Sequence, residues 1–312
     1  MKQPLKSKTK QNTMVSIILP VYNADRYLEE ALDSILSQTY ENWELIAIND
    51  CSHDESYSIL RKYKRKDKRI RVFQNKRNMG IGWTLNRGIH LAKGRYLARM
   101  DADDICFPER LERQVQYFQH HEDVSLVGTF SEEIDESGTV TGPRVFPTSH
   151  ADIVKEMFVF TAIQHPTVMI DRERMPTQEL WYNGELSPVE DLDFYFRNMM
   201  YAKFANIPEY LLYYRKHATN SSLSNVKKTF ALAHRIRFKA MREYNYKPTV
   251  KHFITHFAQA AVVTFLPNFV LYDVYKLWRS NMIQNMKGIT EKTVLAVRMA
   301  FISLFFFLLH KQ

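Results

Sequence analysis

The residues best equipped for chemistry lie between Gly94 and Arg110, where GRYLARMDADDICFPER runs from an apolar stretch into three carboxylates, Asp101, Asp103 and Asp104. Like charges this close are costly to ionise unless a cation or a proton neutralises them. Hard carboxylate oxygens suit magnesium or manganese, ions that keep substrate phosphates in their shell. Tyr96, Leu97, Ala98 and Met100 suit a buried strand. In an extended chain residues two apart point the same way, so Asp101 and Asp103 are expected to face one side together. The competing reading is that the acids cap the helix containing Pro108, with Asp104 nearest its start. Caps account for one or two acids, but not for three at the end of a strand, which is where open α/β sheets hold their ligands.

The elements that must position these acids alternate along residues 14–104. MVSIIL is a short apolar run, and after it Tyr27, Leu28, Ala31, Leu32, Ile35 and Leu36 recur at helical spacing, with Asn23 as the expected cap. WELIAIN reads as a second strand ending at Asp50, followed by a polar CSHDES turn and a helix through Ile59, Leu60 and Tyr63. IRVFQ is a third strand, and a helix with Ile81, Leu85 and Ile89 on one stripe, closed by Gly94, leads into the strand before Asp101. Strand and helix in turn predict an α/β fold: a mostly parallel, Rossmann-like central sheet with flanking helices. Its loops at the carboxyl ends of strands hold Tyr22-Asn23, Asn49-Asp50 and Asp101 to Asp104, a set that would build a nucleotide pocket. No G-x-G-x-x-G follows the first strand and no G-x-x-x-x-G-K-[ST] occurs, which argues against a dinucleotide dehydrogenase and a P-loop NTPase.

From 105 to 220 the alternation fades into a mixed α+β pattern built on the same sheet, with VSLVG and TVMI as strands and a turn at Glu136-Ser137-Gly138. Two polar groupings lie here: Glu190-Asp191, opening EDLDFYFRN, and Tyr214-Arg215-Lys216-His217, after LLYY. Carboxylates at a helix start serve either as dipole partners or as a general base. His165, in QHPTV, reads as a packing or hydrogen-bonding residue.

The 312 residues, 45% of them hydrophobic, can bury a sizeable core in one large or two modest domains. Two cysteines, Cys51 and Cys106, fit no zinc or disulfide framework and point to a reducing, cytoplasmic compartment. The lysine-rich start has no cleavage site after its short apolar run, so residues 1–13 read as a mobile basic tail. The net charge of +9 is uneven: residues 221–312 hold 14 Lys and Arg against 3 Asp and Glu. This segment reads as a helical extension, with helices over LSNVKKTFALAHRIRFKAMREY, HFITHFAQAAVVTFLPNFVLYDVYKLW and TVLAVRMAFISLFFFLL. None is a clean membrane span, since Gln259, Pro267, Asn268 and Asp273 interrupt the second and Arg298 the third. Phe265, Phe269, Tyr272, Trp278 and Phe305 to Phe307 interleaved with Lys and Arg suit an anionic membrane surface. The alternative is packing on the catalytic domain or on a second subunit of a homo-oligomer. A second basic run, RKYKRKDKRIR at 61–71, reads as a solvated helix end.

PVYNADRYLEEALDSILSQTYENWELIAINDCSHDES, RNMGIGWTLNRGIHLAKGRYLARMDADD, the Glu190-Asp191 pair and YRKH, in that order, resemble a family 2 glycosyltransferase of the GT-A fold over residues 14–220. The resemblance implies an inverting transferase that uses a nucleotide diphosphate sugar, UDP-sugar foremost, and Mn2+ or Mg2+. It implies a nucleotide-binding half (14–104) and an acceptor-binding half (105–220) before the extension 221–312. Pro20, Val21 and Tyr22 would lie along the nucleotide, Asp50 would contact the base where Asn49 replaces the more usual acid, and Asn78 and Arg215 would join the donor site. Asp101 and Asp103 match the DxD motif, Asp103 toward the metal and Asp101 toward ribose and phosphates as well, with His217 completing the metal or diphosphate site. Asp191 matches the catalytic base and Glu190 its acidic companion. The acceptor would be a glycan or lipid-linked glycan of surface polysaccharide synthesis, at the inner face of the plasma membrane. A non-catalytic nucleotide-sugar binder would lack the base carboxylate, which is intact at Asp191. A nucleic-acid binder would need a groove-reading motif, and the basic segment has none.

Overall fold

β1 (Val15–Val21) is buried on both faces, and its side chains alternate between two cores that set the layers of the molecule. Val15, Ile17, Leu19 and Val21 pack with Leu28, Ala31, Leu32 and Ile35 of α1 (Asp25–Leu36) on one side of the sheet. Ile18 points to the other side, toward Leu85 and Ile89 of α3 (Ile81–Leu91). This is the period of two expected of a strand covered on both faces. The computed structural model describes residues 13–175, 181–217 and 226–265. The basic tail up to residue 12, the distal part of the second C-terminal helix and all of the third lie outside the described residues.

The first half continues with β2 (Trp43–Asn49), α2 (Ser56–Lys66), β3 (Ile70–Gln74) and β4 (Tyr96–Arg99). β1 pairs in parallel with β2 and with β4, and β2 with β3. The strand ends carrying Tyr22, Asp50 and Asp101 therefore point the same way. The second half adds β5 (Ile105–Cys106), α4 (Arg110–His120), β6 (Val124–Ile134), β7 (Val140–Arg144), α5 (His150–Glu156), β8 (Met169–Asp171), α6 (Glu190–Asn198) and β9 (Lys203–Arg215). All its strands belong to one sheet of order β3-β2-β1-β4-β8-β6-β9-β5, with β7 on β6. β4–β8, β6–β8 and β5–β9 are antiparallel, so the second half is mixed as expected.

Three local expectations fail for physical reasons. Asn23 does not cap α1: it sits at φ 48°, its Oδ1 accepts the His53 N–H, and the N–H groups of Ala24 and Asp25 donate instead to Ser56 Oγ and Asp54 Oδ2. The cap is supplied by the loop after β2. Gly94 does not close α3, which ends at Leu91; it lies where a Cβ would come within 2.7 Å of Met14 O and Ser16 N, so it permits close approach to β1. Asp104 does not cap α4, whose N-cap is Glu109; it is fully buried and bonded elsewhere.

Two compact units divide the chain, residues 1–259 and 260–312. Of the second, the structure describes residues 260–265. In the first, α7 (Val226–Glu243) buries Ala233, Ile236, Arg237 and Ala240, and the core it joins includes residues of α6. α8 (Val250–Phe265) begins in the first unit and buries His252 and His256. No described helix is long and apolar enough to cross a membrane.

Candidate active site

Asp101 to Asp104 form a turn just past the end of β4 rather than a continuation of the strand. The expected reason for Asp101 and Asp103 sharing a side, extended alternation, therefore does not apply. The turn instead gathers all three acids, each offering a ligand atom within 4.8 Å of the others. Arg99, the last residue of β4, donates to Asp101 Oδ2. Asp104 Oδ1 accepts the backbone N–H of Arg215 at 2.9 Å, while its Oδ2 is buried with no hydrogen-bond partner. Burial pushes the Asp101 carboxyl up to about 6, with the Asp103 charge adding to the rise and Arg99 opposing it. Burial, then the charges of Asp103 and Asp101, hold Asp104 well above the usual carboxylate range. An unpartnered buried carboxylate oxygen beside two more carboxylates is a donor set that a hard divalent cation would satisfy.

The end of β9 completes this cluster. Arg215, 1% exposed, donates from Nε to the Asp103 carbonyl at 3.0 Å and from Nη2 to Glu30 Oε2 at 2.7 Å. Its guanidinium lies 4.5 Å from the Tyr27 ring centre. His217 Nε2 lies 2.8 Å from Asp103 Oδ2, the geometry of a hydrogen bond to the carboxylate, with the imidazole against Tyr27. The two residues that YRKH contributes are thus brought to the DxD turn across more than a hundred positions.

Glu190 and Asp191 open α6, whose first turn also holds Asp193. Asp191 Oδ1 accepts the Leu192 N–H at 2.8 Å, whereas Glu190 is 3% exposed and its Oε2 has no partner. Burial pushes Asp191 up to about 6 and, joined by the Asp191 charge, Glu190 up to about 8. Arg99 opposes both rises, so its charge bears on this pair as well as on Asp101. Sequence reasoning missed Arg99, although a cation inside the buried run YLAR was a signal in itself. It also missed Arg110, 1% exposed, which donates to the Arg99 carbonyl at 2.7 Å.

The turn leading into α6 is held by α3. Asn86 pairs with Tyr182 like a strand neighbour, Nδ2 to O at 2.7 Å and Oδ1 from N at 2.9 Å. A Cβ on Gly184 would lie 2.2 Å from the Trp83 ring, and one on Gly82 would lie 2.8 Å from Gly184 Cα. Behind the turn, His165 is buried with Nε2 3.1 Å from Tyr182 Oη, a structural histidine as expected; burial holds its pKa well below the usual value.

Along the same carboxyl edge of the sheet, at the end of β2, Asp50 is 3% exposed and accepts from Asn75 Nδ2 at 2.6 Å and from the N–H groups of Met79 and Gly80, both at 2.9 Å. Asp50 therefore fixes the 75–80 loop, in which Gly80 takes φ 85°. Asn78 belongs to that loop, its Oδ1 accepting the Gly80 N–H at 3.1 Å. Val21 is buried, Pro20 half-buried and Tyr22 46% exposed at the end of β1.

Residues 16–173 match the family model described as glycosyl transferase family 2. An uncharacterized glycosyltransferase of Haemophilus influenzae is 35% identical over 217 residues, 67% of each chain. The O-antigen biosynthesis glycosyltransferase WbnJ of Escherichia coli is 31% identical, covering 80% of this chain and 97% of its own. Among solved structures, TarS of S. aureus in complex with UDP-GlcNAc superposes with a TM-score of 0.60 at 20% identity, over 72% of this chain and 65% of that one, so this chain spans somewhat less than two-thirds of it. A mannosyltransferase of Pyrobaculum calidifontis in complex with GDP-Man and Mn2+ gives 0.54 at 14% identity, over 86% and 84%. These likenesses are to glycosyltransferase folds, and the mixed sheet described above is of the GT-A kind. By family match and by identity over most of its length, the chain belongs to glycosyl transferase family 2, enzymes that transfer sugars.

Proposed function

We propose that this protein is an inverting glycosyltransferase that moves a sugar from a nucleotide diphosphate sugar, UDP-sugar foremost, to a glycan or lipid-linked acceptor in polysaccharide synthesis. The observation that carries the proposal is the pair of separate carboxylate groups sharing Arg99: the acidic turn 101–104 and the Glu190-Asp191 head of α6. Asp101, Asp103 and Asp104 would hold a divalent cation, Mn2+ or Mg2+, with His217 beside Asp103. When bound, such an ion neutralises charge developing on a leaving diphosphate. Asp191, the more readily ionised of its pair, takes the proton of the acceptor hydroxyl as oxygen attacks the anomeric carbon. Glu190, whose carboxyl burial and the Asp191 charge push up, contacts the acceptor beside Asp191. Arg215 supports the turn from behind through the Asp103 carbonyl, and adds positive charge near the diphosphate. Pro20, Val21, Tyr22, Asp50 and Asn78 shape the nucleotide end, Asp50 by ordering the 75–80 loop.

The relatives' names support a role in polysaccharide synthesis, O-antigen in the case of WbnJ. The basic extension 221–312 supports contact with an anionic membrane surface, at the inner face of the plasma membrane. The test is a nucleotide-sugar panel scored by melting temperature with and without MnCl2, because a ligand that binds only the native state raises it. One UDP-sugar is expected to give a manganese-dependent rise that Asp103→Ala abolishes. A panel that leaves the wild type unmoved under both conditions would overturn the assignment.

A further inference from the structure

Trp83 is a large aromatic side chain left 37% exposed, whereas Trp43 is buried to 2%. It belongs to the first turn of α3, which starts directly after the 75–80 loop at the carboxyl end of β3. β3 runs parallel to β2, and β2 to β1, so the indole stands at the carboxyl edge of the sheet, where the acidic turn and Asp50 also lie. Two glycines fix its place. A Cβ on Gly184 would come within 2.2 Å of the indole Cδ1 and Nε1, and one on Gly82 would meet the Gly184 backbone at 2.8 Å. The indole therefore rests on the Gly184–Leu186 turn through a contact that any side chain at 184 would block. Its N–H is bonded to no described residue.

The turn beneath the indole is tied to the proposed base. The ring centre of Tyr182 lies 5.1 Å from that of Phe194 on α6, and the Leu186 carbonyl accepts the Val189 N–H immediately before α6 begins. Burial pushes the Tyr182 hydroxyl up; Arg99 opposes the rise, and the charges of Asp191 and Glu190 add to it. Asp191 follows Gly184 by seven positions, no more than about 25 Å of chain even at full extension. In the same turn Glu185 and Ser187 carry a carboxylate and a hydroxyl that bond to no described residue. A flat π face of negative potential, a free N–H and two unmet oxygen acceptors suit one class of ligand. A pyranose has an apolar, weakly positive face of C–H groups and a rim of hydroxyls that donate and accept. An aliphatic chain would leave Glu185 and Ser187 unmatched, and an anion would be repelled by Glu185.

We infer that Trp83 is the stacking platform of the acceptor site: a pyranose ring of a glycan acceptor lays its C–H face on the indole, and Glu185 and Ser187 accept its hydroxyl hydrogens. The inference rests on the transferase reading above and gives its acceptor a chemical class and the residue that selects it.

The experiment titrates the full chain with methyl glycosides of glucose, galactose, mannose and N-acetylglucosamine, and with sorbitol, which has hydroxyls but no ring face. Binding is read by saturation-transfer NMR of the sugar, with and without UDP and MnCl2. At least one glycoside is expected to bind saturably, and sorbitol not to bind. Trp83→Leu keeps an apolar cover over Gly184 but removes the aromatic face, and is expected to weaken that glycoside roughly 10-fold. Trp83→Phe, which keeps a π face, should stay within ~3-fold of wild type. Glu185→Ala, at an exposed side chain, should weaken the glycoside independently. Melting temperature and manganese-dependent UDP binding are expected to stay near wild type in all three variants. Equal glycoside binding by wild type and Trp83→Leu would overturn the inference. So would a wild type that binds UDP with manganese but no glycoside, or binds sorbitol as well as the glycosides. Loss of glycoside binding in Trp83→Phe as large as in Trp83→Leu, with a fall in melting temperature in both, makes the indole a packing residue and also overturns it. A wild type that binds a glycoside through Trp83 but binds no nucleotide sugar supports the platform and overturns only the transferase reading.

Discussion

Burial pushes both carboxyls of the Glu190–Asp191 pair up, Glu190 further because the Asp191 charge adds to the rise, so at neutral pH the pair resists carrying two negative charges. Asp191→Asn should therefore lower kcat by about 10²–10⁴-fold while leaving manganese-dependent donor binding near wild type. Glu190→Gln, which imitates the protonated acid, should be much milder. In the wild type, kcat/KM should climb as pH rises through about 6 and Asp191 ionises. A rate flat from pH 5 to 7 would remove Asp191 as the base. The acids of this site were legible in the sequence because carboxylates crowded at a strand end repel one another until a cation or a proton joins them. Arg99 and the role of Asp104 were not, because the charge of one bears on Glu190 and Asp191, distant in the chain, and the other depends on Arg215, 111 positions away.

Between helices the informative feature is the turn that delivers α6. Its backbone is gripped by Asn86 and its Gly184 lies against Trp83, both on α3, the helix that follows the loop ordered by Asp50. Gly184→Ala places a Cβ 2.2 Å from the indole, which must shift; overpacking of this kind costs about 1–3 kcal/mol. The expected result is a lower melting temperature together with reduced kcat, read by calorimetry and by turnover at saturating donor. Unchanged values for both would show that the indole moves freely and that the turn is not set by α3. Helices and strands up to residue 104 were readable because apolar period decides them locally. This turn was not, since nothing between Trp181 and Pro188 has a period, and long-range contacts shape it. The helix caps failed similarly: α1 is capped from the loop after β2, not from its own preceding residue.

Across the whole molecule, the raised carboxyl groups of Asp101, Asp104, Glu190 and Asp191 bind protons more tightly in the folded state than in the unfolded one. Their contribution to stability is present below the ordinary carboxylate range and is lost as pH rises through about 6 to 8. A cation that replaces those protons should thus stabilise more at pH 7.5 than at pH 5.5. Manganese at ~100 times its dissociation constant supplies about 2.7 kcal/mol, a rise of roughly 5–10 °C in a domain of this size. The increment should shrink at pH 5.5 and disappear in Asp103→Ala; equal increments at both pH values would contradict the charge argument. The sheet order adds a consequence in time. Among the described residues β5 pairs with β9 alone, and Asp104 finds the Arg215 N–H only when that strand arrives. Ribosomes release the amino-terminal end first, so the acidic turn leaves the exit tunnel more than a hundred residues before the strand that closes it. Nascent chains halted before residue 203 should accordingly be protease-sensitive and blind to manganese, and the site should appear abruptly once β9 has emerged.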